Sequence, residues 1–456
     1  MVTELGLKME NPYSVSNMKK AWKNLKNKVK ASKNGDIKAT HLYVKFKPQT
    51  EEHLSILKMD STIVLYDIPL DYEIKVNGNF YRDPNMPEGQ PTYQYAALPV
   101  DQKLPSIVPY EILEELFIPD EDGDFTETSK NMFASKITID MLVDESLVLT
   151  GNLNVEDAGS SLSAKSKWKP SGIIKVWDDE KSTYVGVAGL RVKARRWFTT
   201  HNGFTDANGY YSCDGRFRRD ANYSFEWERY EFEVRKDGFL NTAGYGGPKK
   251  RGSWSINIRN GEQEFFATIF RAAHHYYYNN IKGLRRPPNN GVLKTQLKLR
   301  AVFETNSDTN GSHCAACRFF GINSAIRIYN PTRNTMDLYG TIIHELAHAS
   351  HWNMDRSGYN GTDDYVVESW ARGVQWELTR MVYSGYQPPY FSEYTGVVHD
   401  MIDGISGVDQ VSGYSIRQIE DALDGQDNWN GWRINIKNKH TNGTENNLEA
   451  LFNFWN

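Results

Sequence analysis

A chain of 456 residues is too long for one ordinary core, so two or three domains are expected. Its 53 Lys plus Arg against 57 Asp plus Glu leave a formal charge of −4, which excludes the basic field that would gather nucleic acid. With 39% hydrophobic residues, no apolar run approaches the roughly 18 residues that a membrane helix needs.

Met1 to Pro12 has no basic-then-apolar leader pattern, so an export signal is either absent or removed before this numbering begins. Ser14 or Ser16 can cap a helix whose apolar face is Met18, Trp22, Leu25 and Val29. HLYVKFKP then alternates Leu42, Val44 and Phe46 inward with Tyr43, Lys45 and Lys47 outward, as a strand does. The apolar positions of PYEILEELFIP, residues 109–119, suggest a short helix. Residues 1–160 therefore read as an α+β domain with no catalytic constellation, and the small polar residues of 157–172 as a linker.

From 171 to 260 the chain has short aromatic strands separated by turns, the pattern of a small β-sandwich. Here GVAGLRVKARRW followed by TDANGYY resembles the carboxypeptidase regulatory-like, or transthyretin-like, domain. That resemblance covers about 90 residues and implies an accessory module of an exported bacterial protein.

Residues 261–456 change character. Phe265, Phe266, Ile269, Phe270 and Ala273 outline a helix, and residues 293–303 and AIRIYN, 325–330, read as strands. The stretch TIIHELAHASHW, 341–352, then sets His344, Glu345 and His348 in an H-E-x-x-H pattern. On a helix, residues four apart share a face, so both imidazoles can reach one cation, and zinc favours neutral imidazole nitrogen. Glu345 beside the open position suits a general base. Chance alone gives the pattern in roughly one or two per hundred chains of this length, so its context matters. Thr335 is placed to cap the helix, Asp337 lies in its first turn, and Gly358 can end it.

Three residues compete for the third ligand position. Glu368 is the strongest, in the first turns of a second helix capped by Asp363 or Asp364 and near its buried face. Asp364 within GTDDY and His351, one turn after His348, are the others; His351 reads as a supporting or surface residue. Tyr386, Tyr390, Tyr394 and His399 are candidate oxyanion donors.

With Glu368 twenty positions after His348, the chain resembles the gluzincin superfamily of zinc metallopeptidases. The resemblance implies His344, His348 and Glu368 as Zn²⁺ ligands and Glu345 as base, over about 110 residues. It also implies that AIRIYN is an edge strand along which an extended peptide substrate lies. The chain departs from thermolysin-like members at Arg372, where they usually carry aspartate. From NPYSVSNMKKAW through LDYEI and PYEILEELFIP to SGYSIRQIEDAL, the whole chain also resembles exported multi-domain proteins of Bacteroidetes-type bacteria, which implies an extracellular, periplasmic or cell-surface site.

The expectation is thus a multi-domain α+β protein with an N-terminal α+β domain, a central β-sandwich and a mainly helical zincin-like domain with a small sheet. It would hydrolyse peptides or proteins, glycoproteins included. The competing expectation is an adhesion or carbohydrate-binding protein with an inactive zincin scaffold. The pair Cys314 and Cys317 reads as structural or incidental.

Overall fold

The structure, a computed structural model, describes residues 2–29, 37–87, 89–119, 137–154, 166–290, 296–304, 311–313, 325–329, 331–405 and 410–456. Most of the expected linker and both Cys314 and Cys317 lie outside the described residues. The chain is mixed α and β, with several small sheets. No helix among the described residues is long and apolar enough to cross a membrane.

Contacts divide the chain into two units that interleave in sequence. The first comprises Met1–Lys175, Gly186–Glu226 and Leu240–Asn257; the second comprises Val176–Val185, Trp227–Phe239 and Ile258–Asn456. The β-rich stretch 171–260 is therefore shared between the two units. Its strand Phe232–Lys236 runs parallel to Leu297–Ala301 and belongs to the second unit.

In the first unit, helix Val15–Val29 begins at Ser14, whose Oγ accepts from the Asn17 amide at 3.1 Å. Its Met18, Trp22 and Leu25 pack with Tyr43, Tyr95, Leu142 and Leu147. Tyr43 is consequently buried rather than outward, with its hydroxyl donating to Asp71 Oδ1 at 3.0 Å. Strand His41–Phe46 is covered on both faces, because Val44 and Phe46 enter a second cluster with Leu57 and Leu98.

The stretch expected as a helix at 109–119 contains strand Tyr110–Leu116, antiparallel to His41–Phe46. Its apolar residues fit either period, and the open edge of the neighbouring strand decides between them. Register places Glu111 opposite Lys45, and Glu111 also pairs with Lys47 at 2.7 Å.

Further along this unit, strands Arg191–Arg196, Thr199–Phe204, Ala221–Glu226 and Gly244–Lys250 form one sheet and Tyr210–Ser212 pairs with Ser171–Asp178 in another. Rings from the two sheets meet where Tyr211 and Tyr223 lie 6.4 Å apart. The TDANG turn closes on Asp206, whose Oδ1 accepts from the Asn208 and Tyr210 amides at 2.8 and 3.0 Å. Gly209 is required there: its φ is +81°, and a Cβ would sit 2.1 Å from the Ile174 carbonyl oxygen. Cys213 in this body is a free, fully buried thiol.

In the second unit a four-stranded sheet runs in the order Phe232–Lys236, Leu297–Ala301, Ala325–Ile328, Gly311–His313, with only the last strand antiparallel. Phe232, Val234, Leu297, Leu299, Ile326 and Ile328 are buried. Helices Gly261–Tyr278 and Thr335–Met354 pack together and against this sheet. AIRIYN is thus an interior strand. Among the described residues the edge strands are Phe232–Lys236 and Gly311–His313, the latter a three-residue segment too short for its period to be read from the sequence.

Candidate metal centre

The motif lies in helix Thr335–Met354, a 20-residue element buried along most of its length. Asn334, one residue before the expected cap, accepts from the Asp337 amide at 2.7 Å, and Asp337 itself lies in the first turn. The helix ends at Asp355, whose carboxylate accepts from the Gly358 amide, so Gly358 follows the end rather than making it. A short connection with a 3₁₀ turn at Tyr359–Gly361 leads to helix Asp364–Thr379, capped by Asp363 through the Tyr365 amide at 2.9 Å. The two helices pack side by side.

This packing brings three donor atoms to one point. His344 Nε2 lies 3.0 Å from His348 Nε2 and 3.0 Å from Glu368 Oε2, and His348 Nε2 lies 3.3 Å from the same oxygen. Two ligands each about 2.0–2.1 Å from a tetrahedral zinc would be about 3.3 Å apart, so the spacing suits that ion. The two imidazole rings stand at 89° with centroids 4.6 Å apart. Among the described residues, His344, His348 and Glu368 are the group able to hold a metal. Asp364 is exposed in the first turn of its helix, and His351 is buried against the Tyr359 ring at 5.1 Å; neither joins the group.

Burial and mutual attraction shift all three groups. Burial pushes His344 down to about 4, keeping its ring neutral near pH 7, against the hydrogen bond to Glu368 that would raise it. Burial acts against ionisation of Glu368, but the attraction of His348 and hydrogen bonds with both histidines hold its carboxyl well below the usual range. For His348, burial is outweighed by Glu368, and the ring is raised from its ordinary value. Glu345 is 5% exposed, and burial, with the Glu368 charge adding to it against the pull of His348, raises its carboxyl to about 7. Its Oε2 and the Nδ1 atoms of His344 and His348 are buried without hydrogen-bond partners among the described residues. Metal-ligating histidines usually donate from that second nitrogen, and among the described residues no acceptor meets it here.

Of the four candidate oxyanion donors, only Tyr394 stands against the cluster, its ring 5.8 Å from that of His344. Tyr386 is hydrogen-bonded by Gln375, and Tyr390 lies 3.0 Å from His399 Nδ1. His399 packs on Trp376 with centroids 4.0 Å apart. Tyr394 ends a tight turn closed by paired backbone bonds with Phe391, at 3.1 and 2.9 Å. Ser369, the neighbour of Glu368, donates to the Glu393 carbonyl at 2.9 Å and so ties this turn to the ligand helix.

Sequence reading missed three contributors. Arg372 lies one turn after Glu368 and places its guanidinium 4.7 Å from the Tyr394 ring centroid; its spacing from Glu368 was the available signal. Tyr359 lies in the connecting turn, with burial and the Glu368 and Glu345 charges raising its phenol strongly. Gly311 faces Glu345 so closely that a Cβ would lie 2.6 Å from the carboxylate, and nothing local in the sequence signals this.

Comparison with protein-family models, curated proteins and solved structures finds no match, so the chemistry of this centre rests on its own residues.

Proposed function

We propose that the protein is a zinc-dependent metallopeptidase of gluzincin type, acting on peptide bonds of proteins or glycoproteins. The observation that carries the reading is the convergence of His344, His348 and Glu368 at 3.0 to 3.3 Å with a buried, unpaired Glu345 oxygen on the same helix. A zinc ion in such a site supplies Lewis-acid polarisation of a carbonyl and a water acidified toward neutrality.

The chain's own residues supply the rest. Glu345, with its carboxyl near neutrality, is suited to take a proton and return it to a departing amine. Tyr394 is suited to donate its hydroxyl to the oxygen on which charge develops, held in place by Arg372 over its ring and Ser369 beneath its turn. An extended peptide can add to Gly311–His313, an edge strand, whose first residue borders Glu345. The β-rich stretch 171–260, divided between the two units, is read as the carboxypeptidase regulatory-like module, and the location as extracellular, periplasmic or cell-surface.

The test is Glu345→Gln in full-length protein. Zinc content by elemental analysis should stay at one per chain, while digestion of a peptide library falls by roughly 10²–10⁴-fold. Glu368→Ala should lose the zinc itself. Wild-type protein carrying no stoichiometric metal would end the reading, and zinc-loaded protein inert toward peptides and glycopeptides would leave the scaffold alternative.

A further inference from the structure

The first unit contains a cavity that the metal centre does not use. Its floor is one face of the sheet built from Arg191–Arg196, Ala221–Glu226 and Gly244–Lys250. Along Ala221–Glu226, Asn222, Ser224 and Glu226 line the cavity and are half-buried, while Tyr223 and Phe225 also border it and are buried. In register, Arg195 lies opposite Asn222 and Lys193 opposite Ser224, so charged groups stand in or beside a floor that also carries aromatic rings.

The other wall is segment 66–81, and it is bound through its backbone. Gly246 and Gly244 amides donate to the Gly78 and Asn79 carbonyls, each at 2.9 Å. A Cβ on Gly246 would lie 2.9 Å from the Gly78 oxygen, so the glycine allows this approach. The enclosed space is about 80 Å³ and opens to solvent.

The lining selects the chemistry of a ligand by exclusion. Asp67 and Glu226 oppose an anion. The Lys193 ammonium, 2% exposed beside the floor, is taken up by Glu226 at 2.9 Å and the Leu65 carbonyl at 3.2 Å; Arg195 donates to the Leu70 and Trp197 carbonyls at 3.2 and 2.9 Å. These two cations oppose a third. An apolar ligand would strip water from Asp67, Asn222 and Ser224 without replacing its hydrogen bonds. What remains is a neutral ligand whose groups both donate and accept, with an apolar face for the rings of Tyr66, Tyr81 and Tyr245. Asp67, whose Oδ2 accepts the Tyr81 amide at 3.1 Å, is the acceptor best placed for a hydroxyl pair.

We propose that this cavity binds the terminal sugar residue of a glycan, one ring edge inserted between the sheet face and segment 66–81. The proposal is independent of the peptidase reading, since none of these residues belongs to the metal group.

The test is saturation-transfer NMR on full-length, zinc-loaded protein with glucose, galactose, mannose, fucose, N-acetylglucosamine and N-acetylgalactosamine. At least one should show transfer. Asp67→Asn, which keeps an acceptor for the Tyr81 amide, and Asn222→Ala should each weaken that sugar by about tenfold or more, with zinc content and circular dichroism unchanged. Absence of transfer from the folded protein to any of the six sugars overturns the proposal. Equal binding by wild type and both variants overturns it as well.

Discussion

Two buried charged groups in the second unit make an instructive pair. Asp178 is fully buried, yet one carboxylate oxygen receives Arg271 at 3.0 Å and the Tyr383 hydroxyl at 2.8 Å, and the other receives the Lys181 amide at 3.1 Å. At the candidate metal centre, Glu345 Oε2 and two imidazole nitrogens are buried without partners among the described residues, while three further donor atoms crowd one point. Burying charge is costly in both places. Around Asp178 the protein meets that cost with its own donors, as a structural pair does. Around His344 the described residues leave that cost standing, as the proposed metallopeptidase site would require.

Three outcomes would sharpen or break this contrast. The largest effect on stability belongs to the satisfied cluster: Asp178→Ala strands the Arg271 guanidinium and should cost about 3–5 kcal/mol in urea unfolding. The zinc content of the folded fraction should not change. A loss of metal with unchanged stability would reverse the roles assigned to the two clusters.

Tyr394→Phe comes next. The ring against His344 remains and only the hydroxyl goes, so zinc should stay bound while kcat falls by about 10²-fold. An unchanged kcat would remove Tyr394 from the chemistry and leave it as packing.

The most gradual effect is a pH dependence set away from the candidate metal centre. Burial lowers His275 to about 4, and its Nδ1 lies 2.9 Å from the Tyr339 hydroxyl. Its folded pKa is below the unfolded value, so the stability it contributes is full above about pH 6.5 and is lost as pH falls toward 4. The expected slope is about 1.4 kcal/mol per pH unit. Thermal melts between pH 7 and 4.5 should show it, and His275→Gln should flatten that part of the curve.

The site was legible in the sequence where its geometry is local. His344 and His348 share a face because four residues make one turn, and Glu368 was recognisable as a charge near the buried side of the next helix. Helix Gly261–Tyr278 and strand His41–Phe46 were equally plain from their periods. Other features depend on partners distant in the chain. Tyr43 turned inward because a helix covers the face its alternation assigned to solvent. Tyr110–Leu116 became a strand because an open edge was available to it.

What the sequence determined by itself, then, was a helix face carrying His344 and His348, its acidic first turn and a short list of candidates for a third donor. Tertiary structure decided which of them converged: the packing of two helices drew in Glu368 and left Asp364 in solvent and His351 against Tyr359. It also decided that Gly311–His313, not Ala325–Ile328, is the outer strand beside Glu345, and that Tyr394 stands against His344. Periodicity is carried by neighbours along the chain, whereas strand order and helix pairing are settled by which distant surfaces bury each other.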